Sequence, residues 1–255
     1  MSVSRGSAND AAAVLCALDP REIALLLDVD GTLLDIAPAP DAVDVPQSLR
    51  ETLARLLAAT NGAMALVSGR AVSDLDRLFA PLVLPAIGGH GAEMRIRPGE
   101  KVEGAPPLPS DLREALMQAA SFDPGLYRED KGYSVALHYR NAPAARDQLA
   151  DRIATALAHF ASEAVEVLEG KAVFEVKRAG LSKGSAVRLL IKTAPFAGRQ
   201  PVFAGDDVTD ESVFAVLPEL GGLGFSVQRA VPGVAGIFSS PNALRTALAH
   251  LAAKG

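Results

Sequence analysis

Residues 23–32 have the sequence IALLLDVDGT, in which five apolar residues lead directly into Asp28-Val29-Asp30-Gly31-Thr32. A continuous apolar run of this length is typical of a strand that is buried on both faces, as in a parallel sheet. The glycine and its polar neighbours indicate a turn after the strand. We therefore predict a buried strand over 23–27 that carries two carboxylates just beyond its carboxyl end.

The same order, an apolar strand followed by polar residues, recurs along the chain. Strands are predicted at 64–67, 83–87 and 202–204, and they are followed by Ser68-Gly69-Arg70, Gly88-Gly89-His90-Gly91 and Gly205-Asp206-Asp207. Apolar residues at helical spacing, such as Leu49, Leu53, Leu56 and Leu57, predict helices between these strands. Alternating strands and helices predict an α/β fold with a Rossmann-like parallel sheet and right-handed crossovers.

The pattern changes between residues 98 and 179. Four prolines interrupt the beginning of this stretch, and two predicted helices, 110–121 and 143–160, are each followed by a pair of predicted strands. We predict an inserted α/β domain over 98–179, flanked by two parts of one main domain, 21–97 and 180–255. Residues 1–20 are expected to form a loose N-terminal tail with room for one short helix.

Composition excludes several classes of protein. The 255-residue chain has a formal net charge of −5 and no basic run, which argues against a nucleic-acid partner. The single cysteine, Cys16, rules out an intrachain disulfide, so we expect a cytoplasmic protein. The apolar stretch from Ala11 to Leu18 is too short to span a membrane.

The unusual polar residues fall where strands end and helices begin. Asp28, Asp30, Ser68, Asp206 and Asp207 each follow an apolar strand, and ligands bind at that edge of an open parallel sheet. Carboxylates gathered in one place repel one another unless a cation lies among them. A set of oxygen ligands without cysteine or paired histidine suits Mg²⁺.

Four motifs in order resemble those of the haloacid dehalogenase (HAD) superfamily. They are Asp28-x-Asp30-Gly31-Thr32, Ser68, Lys183 and Gly205-Asp206-Asp207-x-x-Asp210. Each alone is compatible with an ordinary loop, whereas the ordered set is specific. The resemblance implies a HAD core with an inserted cap, and a Mg²⁺-dependent phosphatase that forms an aspartyl phosphate.

The same resemblance implies a role for each matching residue. Asp28 is expected to be the nucleophile, and Asp30 the general acid and base. Ser68, the backbone N–H of Gly69, and Lys183 are expected to hold phosphate oxygens. The remaining implied roles are Mg²⁺ binding by Asp28, Asp30, Asp206 and Asp207, and support of the bound ion and Lys183 by Asp210.

Within that superfamily, the chain resembles the trehalose-6-phosphate phosphatase family. The resemblance is carried by Gly88-Gly89-His90-Gly91-Ala92-Glu93, Arg128-x-x-Lys131-Gly132, His138-Tyr139-Arg140 and Gly170-Lys171-x-Val173-x-Glu175-x-Lys177. It implies a small sugar phosphate as substrate. The implied substrate-binding residues are Glu175, Lys177, His90, Glu93, Arg128, Lys131, His138 and Arg140.

Strand periodicity gives two of these residues a shared position. Glu175 and Lys177 alternate with Phe174 and Val176, so they lie on the polar face of a predicted strand. That pattern alone fits sugar binding and ordinary solvent exposure about equally well.

Three other functions fit parts of the sequence. A sucrose-phosphate or mannosylglycerate-type phosphatase would share the core motifs and differ in the cap. A phosphomutase would return the phosphate to a sugar. A non-enzymatic phosphoacceptor of the receiver type fits poorly, because a receiver has roughly half this length and no large insertion.

Overall fold

The computed structural model describes residues 8–36, 44–170 and 172–254. The chain divides into two compact units, which we call unit 1 and unit 2. Unit 1 consists of Met1–Glu103 with Ser182–Gly255, and unit 2 consists of Gly104–Leu181.

Strands and helices alternate through most of the described chain. The strands are β1 (Ile23–Leu27), β2 (Met64–Val67), β3 (Ala86–Gly88), β4 (Glu93–Arg95), β5 (Glu103–Gly104), β6 (Tyr127–Asp130), β7 (Ser134–His138), β8 (Val165–Gly170), β9 (Val173–Arg178), β10 (Gln200–Gly205), β11 (Leu223–Val227) and β12 (Gly236–Phe238). The α-helices among these residues are α1 (Ala8–Ala17), α2 (Gln47–Ala59), α3 (Val72–Phe79), α4 (Ser110–Ala119), α5 (Arg146–Ala158), α6 (Lys183–Leu190), α7 (Glu211–Phe214) and α8 (Pro241–Ala252).

Unit 1 is built on an eight-stranded sheet with the order β12-β11-β10-β1-β2-β3-β4-β5. Pairing is parallel from β12 to β3, as the alternation of strands and helices predicts. The hairpin partner β4 runs antiparallel to β3, and its three residues were not among the predicted strands. The predicted strand over 23–27 is confirmed, and it lies between β10 and β2 near the middle of the sheet.

Both faces of the unit 1 sheet are covered by helices. Ile23, Leu25 and Leu27 of β1 pack into a core that includes residues of α1, α2, α3 and α8. Ala24 and Leu26 point the other way, into a core with α6 and α7. The five apolar residues of β1 are therefore all buried because each face has its own hydrophobic core.

The N-terminal helix α1 is part of unit 1. Its Ala11 and Leu15 are buried in the first of these cores, against α8 and β12. The N-terminal stretch of residues 1–20 is expected to have room for one short helix, and α1 is a helix in this stretch. Residues 1–7 lie outside the described part, and the tail as a whole stays a prediction.

Unit 2 contains a four-stranded antiparallel sheet with the order β6-β7-β9-β8. Val135 and Leu137 of β7, with Phe174 and Val176 of β9, pack on one face against α4 and α5. Their neighbours on the opposite face include Ser134, paired with Lys177, and Ala136, paired with Glu175. This face carries polar side chains, as strand alternation requires.

Candidate active site

Three neighbouring parallel strands bring their polar residues to one edge of the unit 1 sheet. Asp28 follows β1, Ser68 follows β2, and Asp206 follows β10. Because β1 pairs with both β2 and β10 in parallel, these three residues lie at the same end of adjacent strands. The sheet thus assembles at one place residues that are far apart in the sequence.

The centre of the site is a buried ion-pair chain. Lys183 Nζ donates to Asp28 Oδ1 at 2.7 Å and to Asp210 Oδ1 at 2.7 Å. All three side chains are almost inaccessible, with 3% of the Lys183 side chain exposed, 5% of that of Asp28 and none of that of Asp210. Lys183 therefore neutralises part of the negative charge of two carboxylates that are almost inaccessible to water.

Burial governs the protonation of this group. Burial of the carboxylate raises the pKa of Asp28 to about 8, since the lowering by Lys183 only partly offsets it and Asp210 adds repulsion. Burial lowers the pKa of Lys183, but the charges of Asp28 and Asp210 outweigh it and leave that pKa above its ordinary value. Burial also raises the pKa of Asp206, against a hydrogen bond from Thr32. The site as it stands is short of positive charge.

Local backbone structure fixes Lys183 at the first turn of α6. Ser182 caps this helix by accepting a hydrogen bond from the Ser185 N–H at 3.0 Å, and Ser185 Oγ accepts one from the Ser182 N–H at 3.0 Å. The next residue, Gly184, donates its N–H to Ser212 Oγ at 3.1 Å, and a Cβ on Gly184 would collide with the Ser212 carbonyl. This close approach packs the start of α6 against α7. Asp210 is the residue that immediately precedes α7.

Asp206 is oriented by the turn after β1. Thr32 Oγ1 donates to Asp206 Oδ1 at 2.8 Å. Gly31 has φ +86°, and a Cβ at this position would collide with the Asp206 carboxylate. A glycine is needed here both for the left-handed backbone and for the space that Asp206 occupies.

One oxygen each from Asp28, Asp206 and Asp210 lies within 4.8 Å of the others. Asp210 uses Oδ1 for Lys183 and Oδ2 for the backbone N–H groups of Asp206 and Asp207, at 2.9 and 3.1 Å. Asp207 is exposed and accepts from the N–H of Val208 at 2.6 Å, capping a short 3-10 turn. The group of three close carboxylates contains Asp210 and not Asp207. Metal binding by Asp207 stays a prediction.

The site fits a hard divalent cation. Asp28 Oδ2 is buried, and no N–H or hydroxyl group of the described residues donates to it. A hydrogen bond between Asp206 and Asp28 requires that one of the two carboxyl groups is protonated. The donors are all carboxylate oxygens, which Mg²⁺ prefers. A cation at this position would supply the positive charge that Lys183 alone does not provide.

The predicted acid–base residue, Asp30, comes two residues after Asp28 in the chain. Asp30 is partly exposed, and both of its carboxylate oxygens accept hydrogen bonds from Arg70, each at 2.7 Å. Ser68 is buried, and its Oγ accepts the N–H of Arg70 at 3.1 Å. Arg70 was not among the predicted site residues.

Comparison with known proteins identifies the family. The model of the trehalose-phosphatase family matches residues 26–242, which is most of the chain. The chain belongs to the trehalose-phosphatase family. It is 41% identical over 232 residues to a probable trehalose-phosphate phosphatase of Sinorhizobium fredii, covering 90% of this chain and 87% of the relative. It is 42% identical over 209 residues to the trehalose-6-phosphate phosphatase of Escherichia coli, covering 80% and 77%.

Solved structures match the fold of this trehalose-phosphatase family member. The C-terminal domain of trehalose-6-phosphate phosphatase from C. albicans superposes with a TM-score of 0.73 at 21% identity, covering 99% of each chain. A phosphatase of the HAD enzyme superfamily from Bacteroides thetaiotaomicron gives 0.62 at 17% identity, covering 91% of this chain and 96% of that one. The expected HAD fold is confirmed, and the family membership makes the chain a phosphoric monoester hydrolase.

Two further predicted residues of this family member lie near the motif after β2. The ring of His90 covers Gly69, where a Cβ would collide with it, and His90 has a left-handed φ of 54°. Glu93 Oε2 accepts the N–H of Val72 at 2.6 Å, at the start of α3. Glu93 thus stabilises a helix N-terminus, and its predicted substrate role stays a prediction.

The predicted sugar-binding residues of unit 2 occupy different positions in its sheet. Glu175 accepts from Ser134 Oγ at 2.7 Å, and Lys131 Nζ lies 3.4 Å from the same oxygen. His138 Nε2 lies 3.4 Å from Glu129 on the same polar face. Glu129 also lies 4.0 Å from Lys131 Nζ, so Lys131, His138 and Glu175 belong to one polar group of side chains.

The other predicted residues of unit 2 make different contacts. Lys177 is buried, forms an ion pair with Glu166 at 3.0 Å and donates to the Leu181 carbonyl. Arg128 is paired with Leu137, which places it on the face toward the helices, where it donates to the Met117 carbonyl at 3.3 Å. Arg140 is exposed beyond the end of β7, and Lys171 lies outside the described residues.

None of the helices in the described part of the chain combines the length and apolar character required to cross a bilayer.

Proposed function

We propose that this chain hydrolyses trehalose 6-phosphate to trehalose and phosphate in a Mg²⁺-dependent reaction that passes through a phosphorylated Asp28. The substrate is suggested by the family model and by the names of the Sinorhizobium fredii and Escherichia coli relatives. The mechanism is supported above all by one observation: one oxygen of the buried Asp28 carboxylate accepts a hydrogen bond from Lys183, and the other has no donor in the part of the chain that the structure describes.

Asp28 and Asp206 would hold the Mg²⁺ ion through side-chain oxygens, with Asp30 contributing its backbone carbonyl. Asp210 would support them through Lys183 and through the backbone N–H groups of Asp206 and Asp207. The bound ion would neutralise the carboxylates and the substrate phosphate, which otherwise repel each other. A role for Asp207 in positioning water on the ion belongs to the same proposal.

In the first step, an oxygen of Asp28 attacks phosphorus and the bond between phosphorus and the sugar oxygen breaks. Asp30 gives its proton to the departing sugar oxygen, so trehalose leaves as a neutral alcohol. Lys183, Ser68 Oγ and the N–H of Gly69 hold the phosphoryl oxygens, where negative charge spreads in the transition state.

In the second step, a water molecule attacks the phosphorus of the acyl phosphate. Asp30, now a carboxylate, takes a proton from this water, and the bond to Asp28 breaks. Inorganic phosphate leaves, while Asp28 and Asp30 return to their starting states. One carboxyl group thus serves both steps, with its proton given and then recovered.

Recognition of the sugar is assigned mainly to unit 2. We infer that Glu175, Lys131 and His138, which share one polar region of its sheet, bind sugar hydroxyls. His90, Glu93, Arg128, Arg140 and Lys177 complete the proposed substrate-binding set. The division into a core of 21–97 with 180–255 and a cap of 98–179, the cytoplasmic location and the lack of a nucleic-acid partner stay predictions.

The test compares phosphate release from trehalose 6-phosphate, sucrose 6-phosphate and mannose 6-phosphate under identical conditions. We expect the highest kcat/KM for trehalose 6-phosphate. Rapid acid quenching with radiolabelled substrate should leave a hydroxylamine-sensitive label on the wild type and none on Asp28→Asn. A preference for another sugar phosphate would overturn the substrate, and the absence of any covalent label would overturn the mechanism.

A further inference from the structure

Arg70 and Asp30 form a two-point contact between two loops of the site. Nε of Arg70 donates to Oδ2 of Asp30 at 2.7 Å, and Nη2 donates to Oδ1 at 2.7 Å. The arginine is the more buried partner, with 18% of its side chain exposed against 38% for the aspartate. Two parallel hydrogen bonds fix the direction of a carboxylate as well as its position.

The backbone of Arg70 is itself held at both polar groups. Its N–H donates to Ser68 Oγ at 3.1 Å, and its carbonyl accepts the N–H of Gly89 at 2.8 Å. The first bond lies within the loop after β2, and the second joins that loop to Gly89, the residue that follows β3. Arg70 is therefore anchored to the sheet edge before it reaches across to Asp30.

We propose that Arg70 is the positioning residue of the acid–base step, holding the Asp30 carboxyl group where it exchanges a proton with the sugar oxygen. This inference rests on the proposed function, which gives Asp30 that role. A carboxyl group offers about four acceptor positions, and Arg70 uses two of them. Positions on both oxygens are left for the proton that passes to the sugar.

A positioning role predicts a selective defect. Trehalose is a poor leaving group and needs the proton of Asp30, whereas p-nitrophenolate leaves without one. Because kcat/KM reports the steps up to cleavage of the ester bond, it isolates the step in which this difference matters. A lysine keeps the charge of Arg70 but cannot make the same two-point contact.

The experiment uses purified full-length Arg70→Lys and Arg70→Gln with trehalose 6-phosphate and p-nitrophenyl phosphate. We expect kcat/KM for the sugar phosphate to fall roughly tenfold to a hundredfold, since misplacing a catalytic group costs on that order. The value for the nitrophenyl ester should stay within about threefold of wild type. Circular dichroism and the thermal midpoint establish that each variant is folded.

Arg95→Lys is the matched control. Arg95 makes a comparable two-point contact with Asp76 in unit 1, and it also donates to the Leu84 carbonyl. Any effect of this change is structural, so kcat/KM should change by the same factor for both substrates. If kcat/KM falls equally for both substrates in folded Arg70→Lys and Arg70→Gln, the positioning role is overturned.

A double-mutant cycle adds a second criterion. If Arg70 acts through Asp30, Arg70→Lys should change kcat/KM for the sugar phosphate by less than about twofold in the Asp30→Asn background. A full additional loss there would show that Arg70 acts independently and would overturn the inference. Wild-type kcat/KM for trehalose 6-phosphate tests the proposed function separately; if it is negligible, the same comparison applies to the alkyl phosphate that the wild type hydrolyses best.

Discussion

Replacement of Lys183 by methionine tests the electrostatic design of the site. The lysine is buried and forms two ion pairs of 2.7 Å, with Asp28 and Asp210. Methionine has a similar length and no charge, so the change removes the cation and keeps most of the packing. Asp28, Asp206 and Asp210 would then face one another without a protein cation between them.

The magnitude follows from burial. Removing one partner of a buried ion pair costs about 3–5 kcal/mol, because the remaining charge is left uncompensated away from water. In a chain of this size each kcal/mol lowers the unfolding midpoint by about 2–4 °C, so the expected shift is about 6–20 °C. Phosphatase activity should also fall by about a hundredfold or more, since the proposed donor to the phosphoryl oxygens is lost.

The assay is thermal unfolding in EDTA, with Lys192→Met as the control. Lys192 is exposed, just beyond the end of α6, so its replacement should leave the midpoint nearly unchanged. Mg²⁺ should stabilise Lys183→Met more than the wild type, because the ion restores the missing positive charge. Equal midpoints for the two variants in EDTA would refute the reasoning.

The pH dependence gives an independent check. Burial raises the pKa of Asp28 to about 8, so the folded protein binds a proton there more tightly than the unfolded chain does. Stability from this proton is present at low pH and lost as pH rises toward that pKa. Removing Lys183 takes away a group that lowers this pKa, so the folded variant keeps the proton on Asp28 to higher pH than the wild type does. The stability deficit of Lys183→Met should therefore shrink as pH falls through about 8, and a deficit that grows on acidification would contradict this sign.

Three further predictions concern the catalytic group and the ion. Asp28→Asn should abolish turnover and keep the fold, because an amide is neither a competent nucleophile nor a good Mg²⁺ ligand; substantial activity in a folded variant would exclude Asp28 as the nucleophile. EDTA should remove activity, Mg²⁺ should restore it and Ca²⁺ should restore it poorly, since its looser coordination suits the site less well; full activity after exhaustive chelation would rule out the ion. Gly31→Ala should destabilise the protein by about 1–2 kcal/mol, because the backbone at this position is left-handed. It should also weaken Mg²⁺ binding at least about tenfold by displacing Asp206, and unfolding and Mg²⁺ titration measure the two effects. Unchanged Mg²⁺ affinity would show that Asp206 does not depend on the space at Gly31.

The positions of the central site residues follow from the sequence by a simple rule. Apolar runs over 23–27 and 64–67 predict buried strands, and residues just beyond parallel strands meet at one edge of the sheet. Asp28 and Ser68 lie where that rule predicts. Lys183 is equally predictable, since Ser182 is a good helix cap and the residue after it begins the helix.

The rule does not distinguish carboxylates that follow one another in a turn. Asp207 and Asp210 are three residues apart, and their directions depend on the 3-10 turn between them. Because Asp207 caps this turn, it lies at the surface, and Asp210 enters the buried group instead. Residue type and spacing do not predict in which directions the side chains of Asp207 and Asp210 point.

Contacts between distant segments are also missed by sequence reasoning. Alternation correctly places Glu175 and Lys177 on one face of β9, but the burial of Lys177 depends on Glu166 in the neighbouring strand. Arg70 gives no periodic signal, because it lies in a short loop and its partner Asp30 lies in another. Only the Ser68-Gly69-Arg70 motif marks the region.

The order of strands in the unit 1 sheet has a consequence for synthesis of the chain. Strand β1 pairs with β2 on one side and with β10 on the other, and its first residue, Ile23, is opposite Gln200. While the ribosome is still making the intervening segment, one edge of this apolar strand has no partner, which leaves the nascent chain open to aggregation. Asp28 is synthesised before Lys183 and Asp206, so the buried group that these three residues form cannot assemble until β10 has been made.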